Sequence, residues 1–366
     1  MRTKLMWVIA LMLVTSWGSQ LQGQTIPEDK KASIVFDFQL KRMKESKLGQ
    51  MSSENQPPLP PGIPVSQETI DSATRIFGQV STPPLDMNIQ DPTAPLPFEF
   101  FVRIVFENES AAEEAWGAMS ANSTEVERGG KTFHRMANGP ENVSAYRMKD
   151  TMIEVGTDLY LDQSSRRLFT DNLNKTWKAA LAEELGIRIA VDLKPMAAHI
   201  AAAQEAIKQN MDGQEAVVKA TAIGFAERME NIDSLRLAMD FSSKNLLKLV
   251  ANGKDSANAE DFREALDAIL GVGKFALGAQ VKQLEQIDEK GNITSVANKF
   301  VKSLKAEING TEVSWTLPRP SELEAAVGDL EGFIGNMFGG PGGFPGGPPP
   351  GAPGGFGPPG RPPGGN

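Results

Sequence analysis

The feature that most constrains the fold is an internal repeat: three segments of the first half recur, in the same order, in the second half. Asp37 and Asp192 occupy matching positions in one pair of segments, 155 residues apart. Collinear matches at similar spacing are typical of a duplicated domain whose sequence has drifted, and repeats this long are domains and not solenoid units. The other pairs recur 146 and 160 residues on, so that the three matches are Ile34–Phe38 with Ile189–Leu193, Ser110–Trp116 with Ser256–Phe262, and Tyr146–Val155 with Ala306–Trp315.

The repeat and the composition together divide the chain into six parts. Residues 1–23 read as a signal peptide cleaved after Gly18 or Gly23, and residues 24–162 form the first repeat. A helical bridge at 163–186 leads to the second repeat at 187–320, and an amphipathic helix follows at 321–338. In the last part, 339–366, 23 of the 28 residues are Gly or Pro. Such a composition cannot bury a core, so this tail is predicted to be disordered.

The N-terminal segment predicts export. Arg2 and Lys4 precede the apolar run Leu5–Val14, which is too short to span a bilayer as a mature helix. We expect a protein of the periplasm or the extracellular space, without a transmembrane segment after signal removal. An uncleaved N-terminal anchor is the alternative.

Charge and cysteine content exclude several classes of function. The chain has no cysteine, which excludes disulfides, thiolate metal sites and cysteine nucleophiles. Its net charge is −9, and loss of Arg2 and Lys4 with the signal makes it −11. A chain this acidic has no electrostatic footprint for nucleic acid.

Hydrophobic periodicity predicts an α+β fold for each repeat: a mostly antiparallel sheet with helices on one face. The strand Ser33–Leu40 opens the first repeat, and Asn309-Gly310 turns a hairpin in the second. The pattern also predicts a helix at Ser66–Gln79, a strand at Leu85–Ile89, and a helix at Lys274–Glu289 that is separated from its predecessor by glycines.

Asp37 and Asp192 are the candidate site pair, because equivalent carboxylates could meet at a pseudo-twofold axis and bind a cation or act as acid and base. The alternative is that each lies on the solvent-exposed polar phase of an amphipathic strand, and the alternation favours that reading. His134 and His199 lack partners at metal-ligand spacing. We therefore predict neither a metal nor a cofactor.

The amphipathic helix is a second candidate site. Four of its apolar residues recur at helical spacing and form one stripe: Leu323, Val327, Leu330 and Ile334. Such a stripe either docks on the second repeat or awaits a partner, since soluble monomers rarely expose large apolar patches.

No catalytic motif is present: the sequence lacks a nucleophile elbow, a paired-histidine zinc motif and a phosphate-binding loop. We therefore expect a non-enzymatic binding or scaffold protein of the bacterial cell envelope. Its partner would be an unknown envelope protein or a small ligand. A carrier of an apolar ligand is the alternative, since Phe101 and Val105 lie on an otherwise polar strand phase. A hydrolase of unrecognised type is the third hypothesis.

Overall fold

A computed structural model describes residues 30–46, 66–85, 93–137, 139–162, 168–183, 185–210, 216–285, 288 and 290–329. The signal peptide, the Gly/Pro tail and most of the predicted strand Leu85–Ile89 lie outside these residues.

The first half of the chain contains seven described strands and three helices, followed by a short helix. In chain order these are β1 (Ala32–Phe38), α1 (Leu40–Glu45), α2 (Gln67–Asp71), β2 (Ala73–Ser81), β3 (Phe100–Phe106), α3 (Glu109–Ser120), β4 (Ser123–Arg128), β5 (Lys131–Met136), β6 (Val143–Lys149), β7 (Met152–Thr157) and α4 (Asp158–Asp162).

The helix α5 (Asp171–Leu181) connects the first half to the second. The remaining elements are β8 (Ile187–Asp192), a 3-10 turn (Lys194–Met196), α6 (Ala197–Asn210), α7 (Ala216–Met229), β9 (Ile232–Met239), β10 (Asn245–Gly253), α8 (Ser256–Leu284), α9 (Asn292–Ser303), β11 (Glu307–Asn309) and β12 (Glu312–Pro318), with residues 323–329 helical after them.

The described strands form one twelve-stranded sheet in the order β11-β12-β10-β9-β8-β1-β2-β3-β7-β6-β5-β4. Each neighbouring pair is antiparallel. The predicted α+β class with a large antiparallel sheet is confirmed. The two halves meet where β1 pairs with β8, so the sheet runs unbroken from one half to the other.

One face of the sheet is apolar and packs against helices. Ile34 pairs with Val191 and Val80, and these side chains share that face because paired residues point the same way. Beside them, Phe36 lies over Gly78, where an added Cβ would stand 2.2 Å from the ring carbon Cζ of Phe36. A glycine is therefore required by close packing in β2.

The opposite face carries buried charges and is covered at its centre by α5. Leu173 and Trp177 of this helix pack in one cluster with Val35 and Ala190 of the central strands. Asp37 lies on the same face as Val35, because side chains alternate along a strand. The face that the sequence marks as polar is thus not a solvent surface at its centre.

The predicted helix Ser66–Gln79 is wrong beyond its first turns. Ser66 caps a helix as expected, since its Oγ accepts from Thr69 N at 3.1 Å. That helix ends at Asp71, and Ala73–Ser81 forms β2. The β-branched and aromatic residues of this segment, together with pairing on both sides, outweigh its helical apolar spacing.

The predicted break within residues 256–289 is also wrong, because α8 runs without interruption from Ser256 to Leu284. Gly271 and Gly273 are ordinary helical residues within it. A glycine costs an exposed helix about 1 kcal/mol relative to alanine, which weakens a long helix without ending it.

The described part of the C-terminal helix packs on the second half. Leu323 and Ala326 are 8% and 5% exposed, in a cluster with Leu246 and Val296 that Val327 also contacts. Leu330 and Ile334 lie outside the described residues.

A candidate ligand-binding cleft

An open cleft of about 940 Å³ lies at one end of the central strands. Its walls come from the start of α5, the turn after β8, the start of β9, the segments that follow β2 and precede β3, and Lys30, which lies two residues before β1. The lining residues are Lys30, Thr82, Pro83, Pro84, Pro97, Thr170, Asp171, Asn172, Lys175, Asp192, Lys194, Pro195 and Asp233. Four prolines stiffen the walls, because their φ angles are fixed.

Asp192 anchors the first turn of α5 to the end of β8. Its Oδ2 accepts from Thr170 Oγ1 at 2.5 Å, and its Oδ1 accepts from Asn172 Nδ2 at 2.8 Å and Lys194 N at 3.2 Å. Thr170 is also the N-cap of the helix, since its Oγ1 accepts from Leu173 N at 3.1 Å. One hydroxyl therefore joins the cap to the carboxylate, and the position of α5 follows from that of β8.

Two further contacts connect the cleft walls. Asn172 Nδ2 also donates to the backbone oxygen of Asp233, at 2.9 Å. Lys194 Nζ lies 3.4 Å from Oδ2 of Asp233, whose Oδ1 is buried and has no hydrogen-bond partner. The start of α5, the turn after β8 and the start of β9 therefore form one hydrogen-bonded frame.

The cleft presents both signs of charge. Lys30 is held by the backbone oxygen of Pro97 at 3.2 Å and lies 3.7 Å from Glu99. Behind it, burial raises the pKa of the Glu99 carboxyl, and a hydrogen bond from Thr157 opposes that shift. Lys175 is exposed on the wall that α5 forms. Ammonium groups, carboxylates and an amide thus face the same space.

The prediction that Asp37 and Asp192 are solvent-exposed is wrong. They are 0% and 2% exposed, because α5 covers the polar phase of the central strands. The sequence pattern alone could not distinguish a solvent face from a second, charge-bearing interior.

The structure separates the two carboxylates. Asp37 pairs with Arg188 in the β1–β8 register, four residues before Asp192 on the same strand. That spacing corresponds to about 13 Å along a strand. Arg75 Nε donates to Asp37 Oδ1 at 2.7 Å, and Arg188 Nη2 donates to Oδ2 at 2.7 Å. Asp37 thus belongs to an ion-pair cluster and Asp192 to the cleft.

Both carboxylates are engaged in structural contacts. Two guanidinium groups engage both oxygens of Asp37, and three neutral donors engage those of Asp192. Within the described residues, no group of three or more His, Asp or Glu side chains is arranged to hold a metal ion.

The other residues that the sequence marks as candidates do not line the cleft, and they are His134, His199 and Phe101. The His134 ring lies edge-on to Trp116, 4.8 Å between centroids, and its Nδ1 is 2.9 Å from Ser123 Oγ. His199 lies on α6, outside the cleft, and its Nδ1 is buried without a hydrogen-bond partner. Phe101 is 1% exposed and packs edge-on against Phe77 in the cluster beneath α5.

No sequence pattern predicts that most of the residues lining the cleft lie together. Lys30, Lys175, Lys194 and Asp233 come from four segments that are distant along the chain. The one local signal is Thr170-Asp171-Asn172, a run of N-cap residues that marks the helix start. It locates α5 but does not reveal that the helix begins in a cleft.

Comparisons with known proteins assign this chain to no family. No family model matches the sequence, and no curated protein matches it. Two crystal forms of TP0453 align with the chain. Form IV has 8% identity and a TM-score of 0.35, covering 81% of this chain and 92% of that one. Form I has 9% identity and a TM-score of 0.36, covering 85% and 99%. Similarity this low carries no argument about the present chain.

None of the helices among the described residues is both long and apolar enough to cross a bilayer.

Proposed function

We propose that this is a non-enzymatic binding protein of the bacterial cell envelope, and that its ligand is a polypeptide segment bound in the cleft at the start of α5. The observation that carries the proposal is the frame around Asp192. Three donors from three different positions fix one buried carboxylate, and this rigid frame supports an open surface. Preorganised walls favour binding because little order is lost when the ligand arrives.

The chemistry of the cleft suits a peptide. Lys175 and Asp171 lie one turn apart on α5, so the surface offers both an ammonium and a carboxylate. The prolines supply flat apolar surface. A peptide carries backbone donors and acceptors as well as side chains of both charges, so it complements such a mixed surface.

The structural contacts of both buried carboxylates support a binding role better than a hydrolytic one. The apolar-carrier hypothesis rested on Phe101 and Val105. Phe101 is core, and Val105 is the next-to-last residue of β3, half-buried between its strand partners Arg75 and Met152. The localisation rests on the predicted signal peptide at residues 1–23, which lies outside the described residues.

The test uses random peptides displayed on phage and selected on the immobilised full chain. Titration calorimetry of the selected peptides then compares the parent with Lys175→Glu, and with Lys178→Glu as the matched control. Lys178 is on the same helix but does not line the cleft. We expect Lys175→Glu to weaken binding about tenfold, or 1.4 kcal/mol, and Lys178→Glu to leave it unchanged. Equal effects of both, or no peptide bound, would reject the cleft as a peptide site.

We also propose that the sheet arose by duplication. Outward from the central pair, the first half runs β1-β2-β3-β7-β6 and the second runs β8-β9-β10-β12-β11. A helix follows the third strand in each half, namely α3 after β3 and α8 after β10. The local pseudo-twofold would pass between Val35 and Ala190, which are paired.

An experimental structure tests the duplication by superposition of the two halves. We expect Asp37 to align with Asp192, and the hairpin Tyr146–Val155 to align with Ala306–Trp315. A different strand order or direction in the best superposition would contradict it.

A further inference from the structure

The outward face of α8 carries an apolar stripe along its middle turns, where a surface helix normally presents polar side chains, and the charged residues Arg263, Asp267 and Lys274 flank this stripe. The inward face packs Phe262, Leu266 and Leu270 into the core of the second half. The outward stripe recurs at helical spacing and consists of Glu264, Ala268, Gly271, Phe275, Gly278 and Lys282. Its middle four residues are apolar or lack a side chain.

Phe275 is 82% exposed at the centre of this stripe. Full burial of a phenylalanine side chain contributes roughly 1.5–3 kcal/mol, so exposure at this position leaves a large stabilisation unused. Ala268, Gly271 and Ala276 around it are exposed as well.

The two glycines of the stripe are not required by the protein's own packing. A Cβ added to Gly271 or Gly278 would meet no atom within 4 Å. Each glycine costs an exposed helix about 1 kcal/mol relative to alanine. Close approach of another helix is a physical reason for small residues at such positions, because their absent side chains leave room for a partner's large one.

The stripe is complementary to itself when two copies pair antiparallel about Gly273. In that register Phe275 of each copy lies opposite Gly271 of the other, and Gly278 lies opposite Ala268. Lys282 lies opposite Glu264, so a charge pair closes the stripe at each end. Each Phe275 thus meets a glycine, each Gly278 meets an alanine, and each Lys282 meets Glu264, which also lies 4.0 Å from Arg263 of its own chain.

From this self-complementarity we infer that the protein forms a twofold-symmetric dimer through the outward face of α8. A second copy of this chain is the occupant that the pattern fits, since a C2 interface requires the same patch to match itself. The interface lies on the helical layer of the second half, whereas the cleft lies at the start of α5. Dimerisation is therefore independent of the proposed peptide site.

Sedimentation velocity of the mature full chain tests the inference over a range of concentrations. We expect the parent to reach twice the mass of one chain, and Phe275→Glu to remain monomeric. Gly271→Leu is a second variant that the monomer accommodates, because open space surrounds that position. It should also be monomeric, since the added side chain occupies the place of Phe275 of the second copy. Ala257→Leu, exposed on the same helix, is the control and should dimerise like the parent.

A charge exchange tests the register. Lys282→Glu should weaken the dimer about thirtyfold or less, because it removes two symmetry-related exposed ion pairs of at most about 1 kcal/mol each, and Lys282→Glu with Glu264→Lys should restore it. A monomeric parent, a dimer that survives both Phe275→Glu and Gly271→Leu, or a charge exchange without recovery would overturn the inference. Circular dichroism of each variant confirms that the chain is folded.

Discussion

Arg188 on β8 donates from Nη2 to Oδ2 of Asp37 on β1, with the two atoms 2.7 Å apart. The pair joins the two halves of the sheet at their common boundary. Arg75 on β2 engages the same carboxylate, but its side chain is 48% exposed, whereas that of Arg188 is 9% exposed. The three residues are therefore unequal: loss of the carboxylate leaves Arg188 buried without its counter-charge, while Arg75 can turn to water.

This difference predicts unequal costs for two substitutions in the cluster. Asp37→Asn should lower the free energy of unfolding by about 3–5 kcal/mol, because it leaves the buried Arg188 uncompensated. Arg75→Ala should cost at most about 1 kcal/mol, the range of partly exposed ion pairs. Urea unfolding of both variants measures the difference. If Asp37→Asn costs no more than Arg75→Ala, then burial does not determine how much each residue of the cluster contributes to stability.

Close packing at β2 predicts opposite effects of the same substitution at two glycines. Gly78→Ala should destabilise the fold by about 1–3 kcal/mol, because the new Cβ overlaps the ring of Phe36. Gly117→Ala, on an exposed position of α3 with nothing within 4 Å, should stabilise it by about 0.5–1 kcal/mol. Thermal unfolding of the two variants and of Gly78→Ala with Phe36→Leu tests this, and the double variant should recover part of the loss.

The buried carboxyl of Glu99 should make the free energy of unfolding depend on pH. Burial raises the pKa of this carboxyl in the folded state, so the folded chain binds its proton more tightly than the unfolded chain does. Ionisation of Glu99 therefore lowers the free energy of unfolding as the pH rises through the raised pKa. The loss is complete above that pKa. Glu99→Gln should raise the melting temperature at neutral pH, and the gain should disappear as the pH falls below the ordinary range of glutamate. A gain that is constant with pH would show that ionisation is not its cause.

The N-cap of α5 predicts a local effect at the cleft. Thr170→Val removes a hydroxyl that both caps the helix and donates to Asp192. We expect a loss of about 1–3 kcal/mol, because a buried carboxylate oxygen loses its donor. Thr170→Ser retains the hydroxyl and should lie close to the parent. Hydrogen exchange should show faster amide exchange at the first turn of α5 in the valine variant only.

Local chemistry accounts for the elements that the sequence predicts well. Asn309-Gly310 turns the β11–β12 hairpin as expected, with Gly310 at a φ of 64°. The residues of β2 were misassigned because their apolar spacing fits a helix, and only pairing with β1 and β3 decides otherwise. Secondary structure that depends on distant partners is not encoded in a local window.

The same reasoning explains the errors about the site. Asp37 follows a strand alternation that is identical for a solvent face and for a face covered by another helix. The cover, α5, lies more than a hundred residues further along the chain. The cleft likewise combines Lys30 with Lys175 and Asp233, which no local motif links. Only the folded arrangement of the strands brings these groups together.

Photo-crosslinking in the cells that make the protein tests the cleft most directly. A benzophenone amino acid replaces Lys175, which lines the cleft, or Lys178, which lies one turn further along the same helix and outside it. We expect a discrete protein adduct from position 175, none from position 178, and loss of the adduct when Lys194→Glu is added. No protein adduct at position 175, or equal adducts at both positions, would contradict the proposal that the cleft binds a polypeptide.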